Sequence, residues 1–132
     1  MKVVLDTNVI ISAFATRGLC TEIFEVCLEG HTIVTSDDIL SETKEKLLEK
    51  IHLPNKTVLA IIDYLKNVSE VVKPEAVRGS VCRDSQDIMV IGTALGGNAQ
   101  YIITGDDDLL ILKKYKTIEI ISPREFWNRL RE

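Results

Sequence analysis

The sequence has little of what marks a secreted or membrane protein. Its three cysteines, Cys20, Cys27 and Cys82, have no CxxC spacing and cannot all pair within one chain, so no disulfide framework is expected. No secretory signal is recognised, and no apolar run approaches the roughly 20 residues of a membrane span. These absences predict a cytoplasmic protein in a reducing environment, without a membrane partner. The seven-residue spacing of Cys20 and Cys27 predicts that they pack in the core.

Positive charge is also scarce. Lysine and arginine together number 16 against 20 acidic residues, which gives a net charge of −4. The composition therefore predicts no basic surface of the kind that marks a nucleic-acid-binding protein. A local basic groove or bound cations would still allow a polyanion to bind.

Several signature motifs are missing as well. The chain has no GxGxxG or GxxxxGK[ST] loop and no GxSxG elbow, so nucleotide binding by those loops and serine hydrolysis have no support. His31 and His52 have no metal-ligand spacing to each other or to a cysteine, which favours structural roles for both.

Hydrophobic spacing and cap signals predict an α/β protein. The 132 residues fit a single domain, 1–132. Ser36, Asp84 and Ser122-Pro123 are good helix starts. In the helix that Asp84 begins, small residues allow close helix packing and a sharp stop: Gly92, Ala94, Gly96 and Gly97. Strands alternating with helices indicate a mostly parallel sheet between helix layers, whose sites lie beyond the carboxyl ends of the strands. The predicted strands are 2–5, 31–35, 69–72, 101–104 and 117–121.

Acidic residues stand where this fold would bring them together. Asp6 follows the first strand, and Asp106 comes shortly after the strand at 101–104. Glu42 lies one turn into the helix that Ser36 begins, while Asp84 and Asp87 open a later helix on one side. Because parallel strands end at the same edge of a sheet, these carboxylates are expected to converge.

Such convergence needs compensating positive charge. Two like charges ~4 Å apart repel by about 4 kcal/mol at an effective dielectric of 20. A hard divalent cation resolves the conflict, because Mg²⁺ and Mn²⁺ prefer oxygen ligands and usually bind few carboxylates together with water and phosphate oxygens. The pattern thus indicates a site for hydrolysis at phosphorus.

Each acid also has an ordinary structural explanation. Asp6 is suited to an N-cap or an Asx-turn, and Glu42 to a solvated helix face. Asp84 fits an N-cap with Asp87 as its third-position partner, where the helix dipole favours negative charge. Asp107 is best explained as part of a solvated turn. The functional interpretation depends on the combination of positions and not on any single residue.

Four segments resemble the acidic motifs of PIN-domain proteins, in the usual order and over essentially the whole chain. They are VVLDTNVIIS, SDDILSE, DSQDIMVIGTAL and YIITGDDDLL. The likeness is greatest to the PIN toxin components of toxin–antitoxin systems, related to VapC-type toxins. It implies a three-layer α/β/α fold and an endoribonuclease that depends on Mg²⁺ or Mn²⁺.

The resemblance also assigns roles to residues. It places the catalytic, metal-binding acids at Asp6, Glu42, Asp87 and Asp106, with Asp84 and Asp108 as further acids near the metal. Asn8 and Thr104 match positions that support the site. Many relatives have Asp-Pro before the acids of the third motif, whereas Ser85 and Gln86 follow Asp84 here; we favour Asp87 over Asp84 because it precedes Ile88 and Met89. Arg17 and Arg83, next to the first and third motifs, are candidate RNA-backbone contacts.

Two other functions remain open on the sequence alone. The chain would serve as a non-catalytic PIN module if it bound RNA or protein without cleavage, although its acids are intact. A receiver-like phosphoacceptor also has aspartates at strand ends, but leaves Glu42 and Asp87 unexplained. By analogy with the family, the expected partners are an RNA substrate, a small antitoxin and a second copy of the chain, as a homodimer or higher homo-oligomer.

Overall fold

A six-stranded sheet forms the centre of the molecule in the computed structural model, which describes residues 1–78 and 84–131. The strand order is β3-β2-β1-β4-β6-β5, and every described pairing is parallel except that of β5 with β6. The strands are β1 (Lys2–Leu5), β2 (Thr32–Thr35), β3 (Glu70–Val71), β4 (Tyr101–Ile103), β5 (Lys114–Tyr115) and β6 (Ile118–Ile121).

Helices flank this sheet and connect its strands. Thus the predicted α/β/α architecture with a mostly parallel sheet is confirmed, while a single domain over the whole chain stays a prediction. None of the helices in the described parts of the chain has both the length and the apolar composition needed to cross a bilayer. The helices are α1 (Thr7–Ala15), α2 (Leu19–Gly30), α3 (Asp37–Glu49), α4 (Asn55–Val68), α5 (Ser85–Gly96), α6 (Asp107–Leu110) and α7 (Pro123–Leu130).

The register of the central strands aligns their carboxyl ends. Leu5 pairs with Ile103, and Ile103 pairs with Ile121. The hydrogen bonds continue one residue further, because the Asp6 amide donates to the Ile103 carbonyl at 3.0 Å and the Thr104 amide to the Ile121 carbonyl at 3.0 Å. Asp6 and Thr104 therefore leave the sheet side by side at one edge.

Helix α5 lies unusually close to the chain segment that follows β3. A Cβ atom added to Gly92 would stand 2.5 Å from the carbonyl oxygen of Glu75, and one added to Gly96 would stand 2.2 Å from that of Lys73. The Glu75 amide also donates to the Gly92 carbonyl at 2.9 Å. The close packing predicted from these glycines is confirmed, and it fixes the helix that carries Asp87.

Some sequence-based expectations need adjustment. Cys27 is buried as predicted, but Cys20 is only half-buried against the core, and Cys82 lies outside the described residues. The short strand β5 was not predicted at all. It forms an antiparallel pair with β6, in which Tyr115 lies opposite Ile118.

Candidate metal centre

Three aspartates of the predicted site are helix N-caps. One carboxylate oxygen of Asp6 accepts a hydrogen bond from the Thr7 amide at 2.8 Å, at the start of α1. Asp84 caps α5 in the same way through the Gln86 amide at 2.8 Å, and Asp106 caps α6 through the Asp108 amide at 2.9 Å. Each cap fixes the side chain because the helix start requires an acceptor there.

Thr104 joins two of these aspartates. Its hydroxyl donates to the second carboxylate oxygen of Asp6 at 2.7 Å and accepts a hydrogen bond from the Asp106 amide at 3.0 Å. The side chain is fully buried at the end of β4. Thr104 thus makes the contacts that its predicted supporting role requires.

Asp87 is the most deeply buried carboxylate among the described residues. It is 4% exposed, and its Oδ2 atom has no hydrogen-bond partner among the described residues. One carboxylate oxygen each from Asp87, Asp106 and Asp108 lies within 4.8 Å of the other two. A buried, unpartnered carboxylate oxygen beside two further carboxylates is costly unless a cation or a proton is shared there.

The electrostatics of the site favour protonation in the absence of metal. Burial raises the pKa of Asp87 to about 7, and the negative charges of Asp106 and Asp84 add to this rise. Burial likewise raises the pKa of Asp6, helped by Glu42 and Asp106 and opposed by the hydrogen bonds from Thr104 and the Thr7 amide. The charged forms of the two buried acids, Asp6 and Asp87, are therefore disfavoured both by burial and by the neighbouring carboxylates.

These residues fit a hard divalent cation. The carboxylates of Asp87, Asp106 and Asp108 supply only oxygen donors, as Mg²⁺ and Mn²⁺ prefer. A cation there would bind the orphaned Asp87 oxygen and offset the repulsion that raises the pKa values of Asp6 and Asp87.

Glu42 reaches the site from α3 but is already paired. Its carboxylate forms an ion pair with the Lys46 ammonium, with 3.1 Å between the oxygen and the nitrogen, one turn along the same helix. The ammonium also donates to the side-chain oxygen of Asn8 on α1 at 3.3 Å. Asn8 was expected to support Asp6, whereas its exposed side chain contacts Lys46 instead, because the second residue of α1 points away from the buried cap.

A buried polar contact connects the two helices that carry Glu42 and Asp87. Ser36 caps α3 through a hydrogen bond from the Ile39 amide, and its hydroxyl oxygen lies 2.9 Å from that of Thr93 on α5. Both side chains are fully buried. The contact joins the N-terminus of α3 to the C-terminal half of α5.

The model of the family described as PIN domain matches residues 2–108. This chain belongs to the PIN domain family. The predicted family resemblance is thereby confirmed, and the matched region contains every acidic residue assigned to the site. A comparison with curated protein sequences gave no significant match.

Three solved structures are similar to this PIN domain in fold. VapBC2 from Rickettsia felis bound to a promoter DNA fragment has a TM-score of 0.64 at 14% identity, covering 92% of this chain and 98% of that one. DNA-bound VapBC from Salmonella typhimurium has a TM-score of 0.63 at 20% identity, with coverage of 93% and 98%. FitAcB from Neisseria gonorrhoeae has a TM-score of 0.58 at 13% identity, with coverage of 92% and 98%.

The PIN domain brings together most, but not all, of the predicted site residues. Asp87 lies in the carboxylate group with Asp106 and Asp108, whereas one oxygen of Asp84 caps α5 and that residue is exposed. Arg17 is exposed beyond the far end of α1, roughly 14 Å of helix from Asp6. Arg83 lies outside the described residues.

Lys46 was not predicted to belong to the site, yet it is the cation that pairs with a site carboxylate within residues 1–78 and 84–131. A signal was available, because Glu42 and Lys46 have the i, i+4 spacing that favours an ion pair on a helix. The second contact, to Asn8, depends on how α1 and α3 pack and has no sequence signal.

Proposed function

We propose that this PIN domain is a metal-dependent endoribonuclease that hydrolyses RNA phosphodiester bonds in the cytoplasm. The observation that carries the proposal is the buried Asp87 carboxylate, with an unpartnered oxygen, grouped with Asp106 and Asp108. Membership of the PIN domain family and intact acids at all the motif positions support it.

The roles of the residues follow from their positions. Asp6, Asp87 and Asp106 would hold one or two Mg²⁺ or Mn²⁺ ions, with Asp84 and Asp108 as further acids nearby. Glu42 would bind a second cation or orient the attacking water. Thr104 keeps Asp6 and the backbone of Asp106 in place. When bound, such a cation supplies Lewis-acid activation of water and stabilises the leaving oxygen.

The test is cleavage of a 5′-labelled single-stranded RNA by purified protein with Mn²⁺ or Mg²⁺. We expect cleavage that EDTA abolishes and that Asp6→Asn and Asp87→Asn each reduce by at least roughly a hundredfold, as the loss of a catalytic group does. Asp107→Asn is the matched control, because this exposed neighbour lies outside the carboxylate group.

The same experiment distinguishes the non-catalytic alternative. A PIN module that only binds RNA or protein would cut no RNA and need show no Asp6-dependent binding of Mn²⁺ in a calorimetric titration. Absence of cleavage together with equal Mn²⁺ binding by the wild type and Asp6→Asn would contradict the proposal.

The proposed biological setting is the toxin of a toxin–antitoxin pair, acting as a homodimer or higher homo-oligomer. The structural neighbours are VapBC and FitAcB complexes, and their likeness to this chain is one of fold. Expression of this chain should arrest growth, and co-expression of a small protein encoded beside it should restore growth. Arrest that persists in Asp87→Asn would contradict a nuclease toxin.

A further inference from the structure

Lys46 is a cation at the edge of a site that otherwise carries negative charge. Its ammonium lies 3.1 Å from Glu42 and 3.3 Å from the side-chain oxygen of Asn8, so it bridges α3 and α1 beside the acidic group. Its side chain is 27% exposed and that of Glu42 is 15% exposed. The ammonium is therefore held by an ion pair and a hydrogen bond and is still accessible from solvent.

At least one N–H donor of the Lys46 ammonium is available for a ligand. A lysine ammonium has three N–H donors; one donates to Asn8, and Glu42 is an ion-pair partner at 3.1 Å that can occupy at most one more. A phosphate oxygen is the acceptor that such a point charge binds well. The groove on the other side of Glu42, between α3 and α5, is lined by Asp38 and Glu45 and would repel a phosphate.

We propose that Lys46 binds a phosphate of the RNA next to the bond that is cut, and so positions the substrate over the carboxylates. This inference rests on the proposed ribonuclease function. It assigns Lys46 to substrate binding rather than to the chemical step, because its described partners are Glu42 and Asn8 and not the Asp87 group. A negatively charged protein would thus bind the RNA backbone with the help of the Lys46 ammonium, which its own fold holds in place.

The test compares Lys46→Met with Lys44→Met in steady-state cleavage of a single-stranded RNA with Mn²⁺. Both variants lose one positive charge from α3, but Lys44 is exposed and lines a different groove, with Leu59 and Asp63 of α4. We expect Lys46→Met to raise KM about tenfold or more, as loss of a charge-assisted hydrogen bond does, with kcat changed less than about threefold. Lys44→Met should resemble the wild type.

Salt dependence and rescue give further readouts. Loss of one phosphate contact should reduce the slope of log KM against log salt by about 0.7 for a single strand, and Lys46→Arg should restore most of the affinity. Melting temperatures of all variants identify a defect in folding. A lowered melting temperature with unchanged KM would overturn the inference, because Lys46 would then only join α1 to α3.

Two other outcomes would also overturn it. Tighter Mn²⁺ binding and a lower KM in Lys46→Met would show that the ammonium competes with the cation for Glu42. If the wild type cleaves RNA and the KM values of Lys46→Met and Lys44→Met are equal, Lys46 does not take part in substrate binding. Failure of the wild type to cleave at all would instead contradict the proposed function.

Discussion

At the scale of single residues, helix capping and the proposed metal binding fall on the same aspartates. Asp6, Asp84 and Asp106 each accept an amide hydrogen bond at a helix start. A carboxylate oxygen has more than one lone pair, so an oxygen that caps a helix can still bind a cation. Asp6 can therefore cap α1 and still serve the metal-binding role proposed for it.

Thr104→Val should weaken metal binding while preserving the shape of the site. The substitution removes the hydroxyl that donates to Asp6 and accepts from the Asp106 amide. Losing such a supporting contact typically lowers metal affinity by about 10–100-fold, and it raises the pKa of Asp6 further. Calorimetric titration with Mn²⁺ at pH 7 measures the effect.

Thr32→Val is the matched control for this substitution. Thr32 begins β2 at the opposite end of the sheet and is exposed. Its replacement should leave Mn²⁺ affinity unchanged. Equal affinities for Thr104→Val and Thr32→Val would show that the Thr104 hydroxyl does not support the site.

The pH dependence of stability follows from Asp87. Because burial raises its pKa to about 7 in the folded protein, against about 4 for an unfolded aspartate, the folded state binds the proton more tightly. The associated stability is present below about pH 4 and is lost as the pH rises through about 7. In EDTA, the contribution of Asp87 to the melting temperature should therefore decrease between about pH 4 and about pH 7.

Asp87→Asn should remove that contribution, since asparagine resembles the protonated acid and does not ionise. We compare the melting temperature of the variant minus that of the wild type at two pH values. This difference should be more positive at pH 8 than at pH 5 by roughly 3 °C or more, since a change of even about 1 kcal/mol in stability shifts the melting temperature by that amount. Asp107→Asn should show no such trend. A difference that is the same at both pH values would contradict the burial argument.

At the scale of elements, the close approach of α5 to residues 73–75 leads to a prediction for Gly92. A methyl group there meets the Glu75 carbonyl at 2.5 Å, and backbone must move to admit it. Gly92→Ala should therefore cost about 1–3 kcal/mol, as overpacking does, in spite of the better helix propensity of alanine. Urea unfolding measures the cost.

Gly30→Ala provides the comparison within another helix. A Cβ added at Gly30 meets nothing within 4 Å, so alanine at the end of α2 should be neutral or stabilise by up to about 1 kcal/mol. If Gly92→Ala behaved like Gly30→Ala, the contact between α5 and the Glu75 carbonyl would not matter for stability.

How far the elements could be predicted depended on local signals. Ser36 and Ser122 cap α3 and α7 as the sequence indicates, because capping is decided within one turn of chain. Strand β5 was missed because the turns around it use Lys113 and Lys116 at positive φ, 62° and 54°. Glycine or asparagine at such positions would have signalled a hairpin.

For the site, the sheet edge could be predicted from the sequence, but the contacts between helices could not. The edge that carries Asp6 and Asp106 follows from strand ends in a parallel sheet. The contact of Asn8 with Lys46, and the grouping of Asp108 with Asp87, depend on the rotation of α1, α5 and α6 against one another. That rotation is set by tertiary packing, which a single sequence does not encode in any local pattern.

At the scale of the whole molecule, metal binding should stabilise the fold. A cation that binds the folded chain alone adds about 2.7 kcal/mol at one hundred times its dissociation constant. The melting temperature should therefore rise with MnCl₂ at pH 7.5. The rise should shrink strongly in Asp87→Asn and persist in Asp107→Asn, with NaCl at equal ionic strength as the salt control. An equal rise in both variants would place the binding elsewhere.

The edges of the sheet have a consequence for how the protein behaves at high concentration. Strands β3 and β5 lie at the two edges and have two residues each. They carry charged side chains, including Glu70, which pairs with Lys2, and Lys114. Such edges present few free backbone groups to a strand from another molecule. The fold thus resists edge-to-edge aggregation, and an arriving protein meets helices and loops rather than an open strand.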